Sequence, residues 1–405
     1  MAEDETPMTD PPTTAPPGGR ERPRRRRRWL MITAGAVAFL LVATGVLLWV
    51  AYRRLDGNIR TDSATDRLLA KLEAERPSRT AGAKGAENIL LIGSDDRSGA
   101  NGAYGGEAGT QRSDTTILLH LAADRRHATA VSIPRDVMVP VPACDQPDGT
   151  RSRPATVQFN WAFERGGPAC SIRTVEQLSG IRIDHYVILD FSGFKTMVDA
   201  VGGVEVCVPQ AIHDKDAKLD LPAGRQTLHG EQALGYVRAR ESLGDGSDTQ
   251  RMGRQQQFLA SLLRKVQSQG VLLNPARLWP VLDAATSSVR ADGGLSSLGA
   301  LYDLTQDLRG VPSPDVVFLT APRRPYRYDS DRDEFVQPQT GQLFAALRED
   351  RPITVRPPGS APAPTASPSP GPTVDAGSDE AASPSASASP TFEGRTADVD
   401  ACAQH

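Results

Sequence analysis

The strongest constraint on this chain is a basic run that stops against an apolar one. Arg20 and Arg22 lead into five consecutive arginines at residues 24–28, and residues 29–52 then carry no charge. Roughly two dozen helical residues at ~1.5 Å rise reach about 36 Å, more than the ~30 Å hydrocarbon core of a bilayer, so 29–52 predicts a membrane-spanning helix. A cleaved leader has a shorter core and ends in small residues, whereas Trp49 and Tyr52 supply an interfacial aromatic anchor here. Arginine beside a span holds that flank in the cytoplasm, and Arg53 and Arg54 on the far side are outnumbered. The N-terminus is therefore expected in the cytoplasm and the body outside the cell membrane, as a single-pass protein. The arginine run reads as a topology signal and not as a nucleic-acid patch, because it lies in a Pro-rich segment against the membrane.

Charge and cysteine usage narrow the partners. Lys+Arg of 46 against Asp+Glu of 49 gives a net charge of -3, so no global field recruits nucleic acid, and any anion site must be local. The 4 cysteines, Cys144, Cys170, Cys207 and Cys402, all follow the span and lack C-x-x-C spacing, as expected of disulfides in an exported body. Pairing of Cys144 with Cys170, which flank one predicted helix, is favoured over unpaired buried thiols.

The chain divides by composition into a disordered basic tail (1–28), the span (29–52), a polar stalk with a helical piece at 66–75 (53–86), a main domain (87–270), an extension packed on or near it (271–355) and a Pro/Ser/Ala-rich disordered tail (356–405) in which Cys402 offers a tether. Short apolar runs at 88–92, 115–122 and 128–133, bounded by Gly, Asp or Pro, predict buried strands, with more at 186–189, 204–208 and 316–319. Helices are expected at 156–164, 171–178, 194–201, 231–239 and 250–269, with a helical stretch at 275–308. This alternation predicts an α/β fold, a central mixed sheet with helices on both faces, preceded by one transmembrane helix.

The chemistry concentrates at strand ends. The first strand runs into Gly93-Ser94-Asp95, and the second begins at Arg112-Ser113-Asp114; if the two are adjacent and antiparallel, Asp95 and Asp114 share one edge. Two carboxylates without His or Cys suit Mg²⁺, which completes its shell with water and substrate phosphates. The third strand ends in Arg135-Asp136. A second cluster joins Arg238 and Arg240 to Arg251, Arg254 and Gln255 at the start of a long helix. Guanidinium forks and a helix N-terminus both attract phosphate, so the two clusters together predict a pyrophosphate site. The bland alternatives are loop-capping for the aspartates and surface charge for the arginines. Neither a P-loop, a dinucleotide glycine motif, a zinc spacing nor a nucleophile elbow is present.

The ordered segments N-I-L-L-I-G-S-D-D-R, R-S-D-T-T-I-L, S-I-P-R-D-V, V-Q-F-N-W-A-F-E-R-G-G, I-D-H-Y-V-I-L-D-F-S-G-F, V-D-A-V-G-G-V-E-V, Y-V-R-A-R and G-D-G-S-D-T-Q-R-M-G-R-Q-Q-Q-F-L resemble the LytR-CpsA-Psr family of bacterial cell-wall enzymes over roughly residues 87–265. The composition is similar to that of its actinobacterial members. The resemblance implies a phosphotransferase that moves a glycopolymer from a polyprenyl pyrophosphate lipid to a muramyl hydroxyl of peptidoglycan, and makes 87–270 the catalytic domain. It implies Asp95 and Asp114 as Mg²⁺ ligands, and Arg112, Arg135, Arg238, Arg240, Arg251 and Gln255 as pyrophosphate contacts. Arg135, Asp95 and Asp114 are the expected catalytic groups, with Asp136 or Asp95 as proton acceptor. A lipid tunnel between sheet and helices is also implied, with Phe159, Trp161, Phe163, Phe191 and Phe194 as lining residues or ordinary core. The loop between Asp95 and Asp114 is longer and richer in Gly than in many members. A polyprenyl pyrophosphate hydrolase and a non-enzymatic envelope regulator, a transcriptional attenuator, are the rival readings; only about 28 residues lie on the cytoplasmic side to serve the latter.

Overall fold

Side-chain alternation along the strands sets the architecture. Along the strands at 87–94 and 113–121 Leu90, Ile92 and Leu118 turn to one side and Leu91, Ile117 and Leu119 to the other, while the strand at 128–133 is buried at every position, so the sheet is covered on both faces. The computed structural model describes residues 23–80, 83–95, 113–146, 149–240, 248–268, 275–360, 390–399 and 402.

The chain splits into two units, Met1–Arg54 and Leu55–His405. In the first, helix α1 (Pro23–Asn58) is long and apolar enough to cross a membrane, with a mean hydropathy of 2.3 in its most apolar window. Its Trp49 ring carries the Arg53 guanidinium at 5.4 Å.

The second unit begins with β1 (Arg60–Thr61), α2 (Ser63–Lys71), β2 (Glu87–Ser94), β3 (Ser113–Leu121), β4 (Ala128–Ile133) and the ribbon β5 (Met138–Val141) with β6 (Ala155–Gln158). It continues through α3 (Asn160–Ser179), β7 (His185–Asp190), α4 (Phe191–Ala200), β8 (Val204–Val208), β9 (Ile212–Asp214), β10 (Leu219–Leu221), β11 (Gly224–Leu228), α5 (Gly230–Arg238) and α6 (Asp248–Gln267). Then follow α7 (Pro275–Ser288), β12 (Val289–Ala291), α8 (Leu298–Gly310), β13 (Val316–Thr320), β14 (Arg323–Tyr326), β15 (Asp329–Phe335), α9 (Gln339–Arg348), β16 (Thr354–Arg356) and β17 (Thr391–Thr396). The main sheet has the order β1-β12-β7-β2-β3-β4-β13-β17-β16 and is mixed: β2 pairs antiparallel with β3 and parallel with β7.

One face packs α2, α3 and α9 into a continuous core through Leu69, Phe163, Ile172, Leu343 and Phe344. The other carries α4, α5, α6 and α8, with α7 against α4. Gly193 makes that last contact, since a Cβ there would lie 2.6 Å from the Ser288 carbonyl oxygen.

Four expectations change. Residues 55–80 are not a stalk: Leu55 and Ile59 are buried, β1 pairs with β12, and the Arg76 guanidinium grips Glu176 at 2.7 Å. The 271–355 segment goes beyond an extension packed on or near the domain, because it supplies β12 and β13, the latter covering the expected 316–319 strand, to the sheet itself. The tail returns, because β17 pairs with both β13 and β16, while residues 361–389 lie outside the described set. Residues 155–158 form β6, not helix, and one kinked α3 replaces two predicted helices, the break falling at Gly166 and Gly167. Cys144 pairs with Cys170 as expected, and Cys207 with Cys402.

Candidate functional site

A cavity of about 630 Å³ lies between the sheet and α4, α5 and α6. Its floor is the β2, β3, β7 and β12 surface of Leu91, Ile117, Val187, Leu189 and Val289; its roof is Phe191, Phe194, Met197, Val198, Leu234, Phe258, Leu259 and Leu262. The wall also carries Asp114, Arg135, Arg238, Arg240, Arg251 and Gln255, six of the residues singled out from sequence. Such a site is apolar in its depth and charged where the strand ends and helix starts converge.

The strands explain this convergence. In the β2–β3 ladder Gly93 faces Thr115 and Ser94 faces Ser113 across a bulge, so Asp95, just past β2, and Asp114, at the start of β3, share one sheet edge. Arg135, just past β4, reaches the same edge, where its Nη1 donates to Asp114 Oδ1 at 2.7 Å and its Nε to Asp136 Oδ2 at 3.2 Å. Asp95 is 8% exposed. Two carboxylates on neighbouring strands fit the oxygen-donor preference of Mg²⁺, with the remaining ligands from phosphates and water. Among the described residues no three His, Cys, Asp or Glu side chains gather as a metal cage.

From the opposite wall, Arg238 at the end of α5 lies over the Phe191 ring at 4.8 Å, which holds a cation against the apolar roof. Arg251 is 5% exposed in the first turn of α6. The Gln255 amide donates to the Val237 carbonyl at 3.1 Å, so this side chain ties α6 to α5 as well as lining the cavity.

Several expectations are redirected. Arg112 lies outside the described residues. Asp136 is held by Arg135 and, at 3.9 Å, by Arg332, and is not on the cavity wall. Phe191 and Phe194 line the cavity, whereas Phe159 and Phe163 belong to the core on the other face and Trp161 is 40% exposed. Sequence reasoning missed three carboxylates on the wall, Asp190, Asp214 and Asp216. Asp190 had a signal, since D-F-S-G after a strand is a helix N-cap, and its Oδ1 accepts from Gly193 N at 2.7 Å. The β9–β10 hairpin that carries the other two had none.

The cavity thus joins an apolar lining to arginines and carboxylates at the edge of a mixed sheet. The chain belongs to the LytR_cpsA_psr family, which matches residues 56–348. Among curated relatives, the probable cell wall biosynthesis protein LcpB of Corynebacterium glutamicum is 37% identical over 64% of this chain and 58% of its own length, so the chain spans little more than half of that relative. The polyisoprenyl-teichoic acid–peptidoglycan teichoic acid transferase TagT of Bacillus subtilis is 28% identical over 70% of this chain and 84% of that protein. The crystal structure of B. subtilis TagV has the same fold, with a TM-score of 0.52 and 27% identity over 66% of this chain and 97% of that one.

Proposed function

We propose that this chain is a phosphotransferase that attaches a polyprenyl-pyrophosphate-linked glycopolymer to a muramyl hydroxyl of peptidoglycan through a phosphodiester, releasing polyprenyl phosphate. The observation that carries this reading is the cavity: one wall suits an isoprenoid tail, and its charged end suits two linked phosphates. The family membership and the relatives' names support it. The apolar α1 supports anchoring in the cell membrane, and the arginines before it support a cytoplasmic N-terminus with the catalytic body outside.

In this reading the tail lies against Phe194, Phe258 and Leu262, and Arg135, Arg238, Arg240 and Arg251 grip the diphosphate, joined by Arg112 and Gln255. Preorganised guanidiniums in a water-poor site stabilise charge that develops on the leaving phosphate. Asp95 and Asp114 would hold Mg²⁺, which supplies further charge neutralisation when bound. The acceptor oxygen attacks the phosphorus next to the glycan, and the bond to the bridging oxygen breaks with its electron pair going to polyprenyl phosphate. Asp216, an exposed carboxylate on the cavity wall, is a candidate to take the hydroxyl proton.

The test is an assay of the full chain with a lipid-pyrophosphate oligosaccharide and a peptidoglycan fragment. Phosphodiester-linked product that requires the acceptor is the expected result. Cleavage at the same rate without acceptor would replace the transferase with a hydrolase, and no cleavage in either arm would remove the enzymatic reading.

A further inference from the structure

The Arg238-Ala239-Arg240 strap begins at the last residue of α5, where Ala239 N still donates to the Gly235 carbonyl at 2.8 Å, and then leaves the helix in an extended conformation, with Ala239 at φ -52 and ψ 139. Beyond that last helical hydrogen bond, side chains hold its backbone. Asp214 Oδ2 accepts from the Arg240 backbone N–H at 2.6 Å, and Asp214 Oδ1 accepts from Ala217 N at 2.8 Å. The Arg254 guanidinium donates to the Ala239 carbonyl, and Gln255 donates to the Val237 carbonyl at 3.1 Å. Asp214 is 3% exposed, and burial pulls Arg254 below its ordinary range.

We infer that Asp214 and Arg254 are positioning residues, a two-sided brace that fixes Arg238 and Arg240 at the spacing the donor diphosphate requires. Asp214 ends strand β9 and Arg254 belongs to α6, so two elements far apart in sequence clamp the strap, one through a backbone donor and the other through a backbone acceptor. A charged partner on a backbone group makes a stronger and more directional tether than a neutral one. Arginines on an untethered strap would have to be ordered by each incoming ligand, which weakens binding of the anionic head. The apolar tail touches other residues, so its binding is independent of the brace.

This inference rests on the reading of the cavity as a lipid-diphosphate site, and the experiment separates the two. Full chain in detergent, as wild type, Asp214→Asn and Arg254→Gln, would be titrated with farnesyl pyrophosphate and with farnesol, and the hydrogen exchange of amides 236–240 measured without ligand. The brace predicts more than about tenfold faster exchange and roughly tenfold to a hundredfold weaker farnesyl pyrophosphate binding in both variants, with farnesol binding unchanged. Wild-type exchange and diphosphate binding in the variants overturn it, as does equal weakening of both ligands, which marks general damage to the fold. If one variant does not fold, the other decides, since each attacks a different backbone group of the strap. Wild type that binds farnesol as tightly as farnesyl pyrophosphate would sink the diphosphate reading alone, while the exchange rates still judge the brace.

Discussion

The two faces of the main sheet use the same strands for opposite ends. On one, Leu90, Leu118, Val131 and Ile188 meet Phe163, Ile172 and Phe344 in a continuous core. On the other, Leu91, Ile117, Val187 and Leu189 are just as apolar, yet they border a cavity of about 630 Å³. Because successive side chains alternate, each strand contributes to both. The first face is filled throughout, whereas part of the second is left open to hold a ligand.

That contrast can be broken from either side. The largest expected effect is Arg135→Ala, which removes a cation from the sheet edge: transfer should fall on the order of 10²–10³-fold while the melting curve hardly moves, as read by product assay and calorimetry. Activity near wild type would remove the assigned site. Next, Phe163→Ala should cost about 3–5 kcal/mol in denaturant unfolding and leave farnesol affinity of the remaining folded protein intact; a loss of affinity would show that the faces are coupled. Leu262→Trp, which fills part of the cavity, should weaken farnesol binding by about tenfold with a stability change under ~1.5 kcal/mol. The smallest effect belongs to His185, whose Nδ1 lies 3.0 Å from Asp292 Oδ2, a hydrogen bond that raises its pKa against the opposing effect of burial. A raised folded pKa gives stability that is full below about 6.5 and disappears as pH climbs through the folded value. Unfolding at several pH values should show a loss of about 1 kcal/mol or less over that window, absent in His185→Gln.

Much of this was legible from residues alone. The runs at 88–92 and 128–133 lie within strands and that at 115–122 overruns its strand by one residue, and the expected antiparallel pairing does bring Asp95 and Asp114 to one edge. Local signals carried that far because each strand ends in its own functional residue. What failed depended on distant partners. Arg60 and Thr61 form a strand only because Arg290 and Ala291 lie beside them, and two residues leave no periodic pattern. Residues 156–158 carry a helical pattern, but pairing with Met138 to Val141 holds them extended. Phe159 and Phe163 were grouped with Phe191 and Phe194 by aromatic content, and only the packing shows that the two pairs belong to opposite faces. Asp214 was missed because its role is to hold the Arg240 backbone amide, 26 residues away.

The insertion of β17 between β13 and β16 has a consequence for how such a chain is made. Synthesis delivers residues 316–320 well before residues 391–396, so an interior strand waits with one border bare. Exposed strand borders recruit neighbouring chains. Throughout that interval the nascent body needs shielding, and a stall during the final stretch of synthesis would leave it prone to clumping.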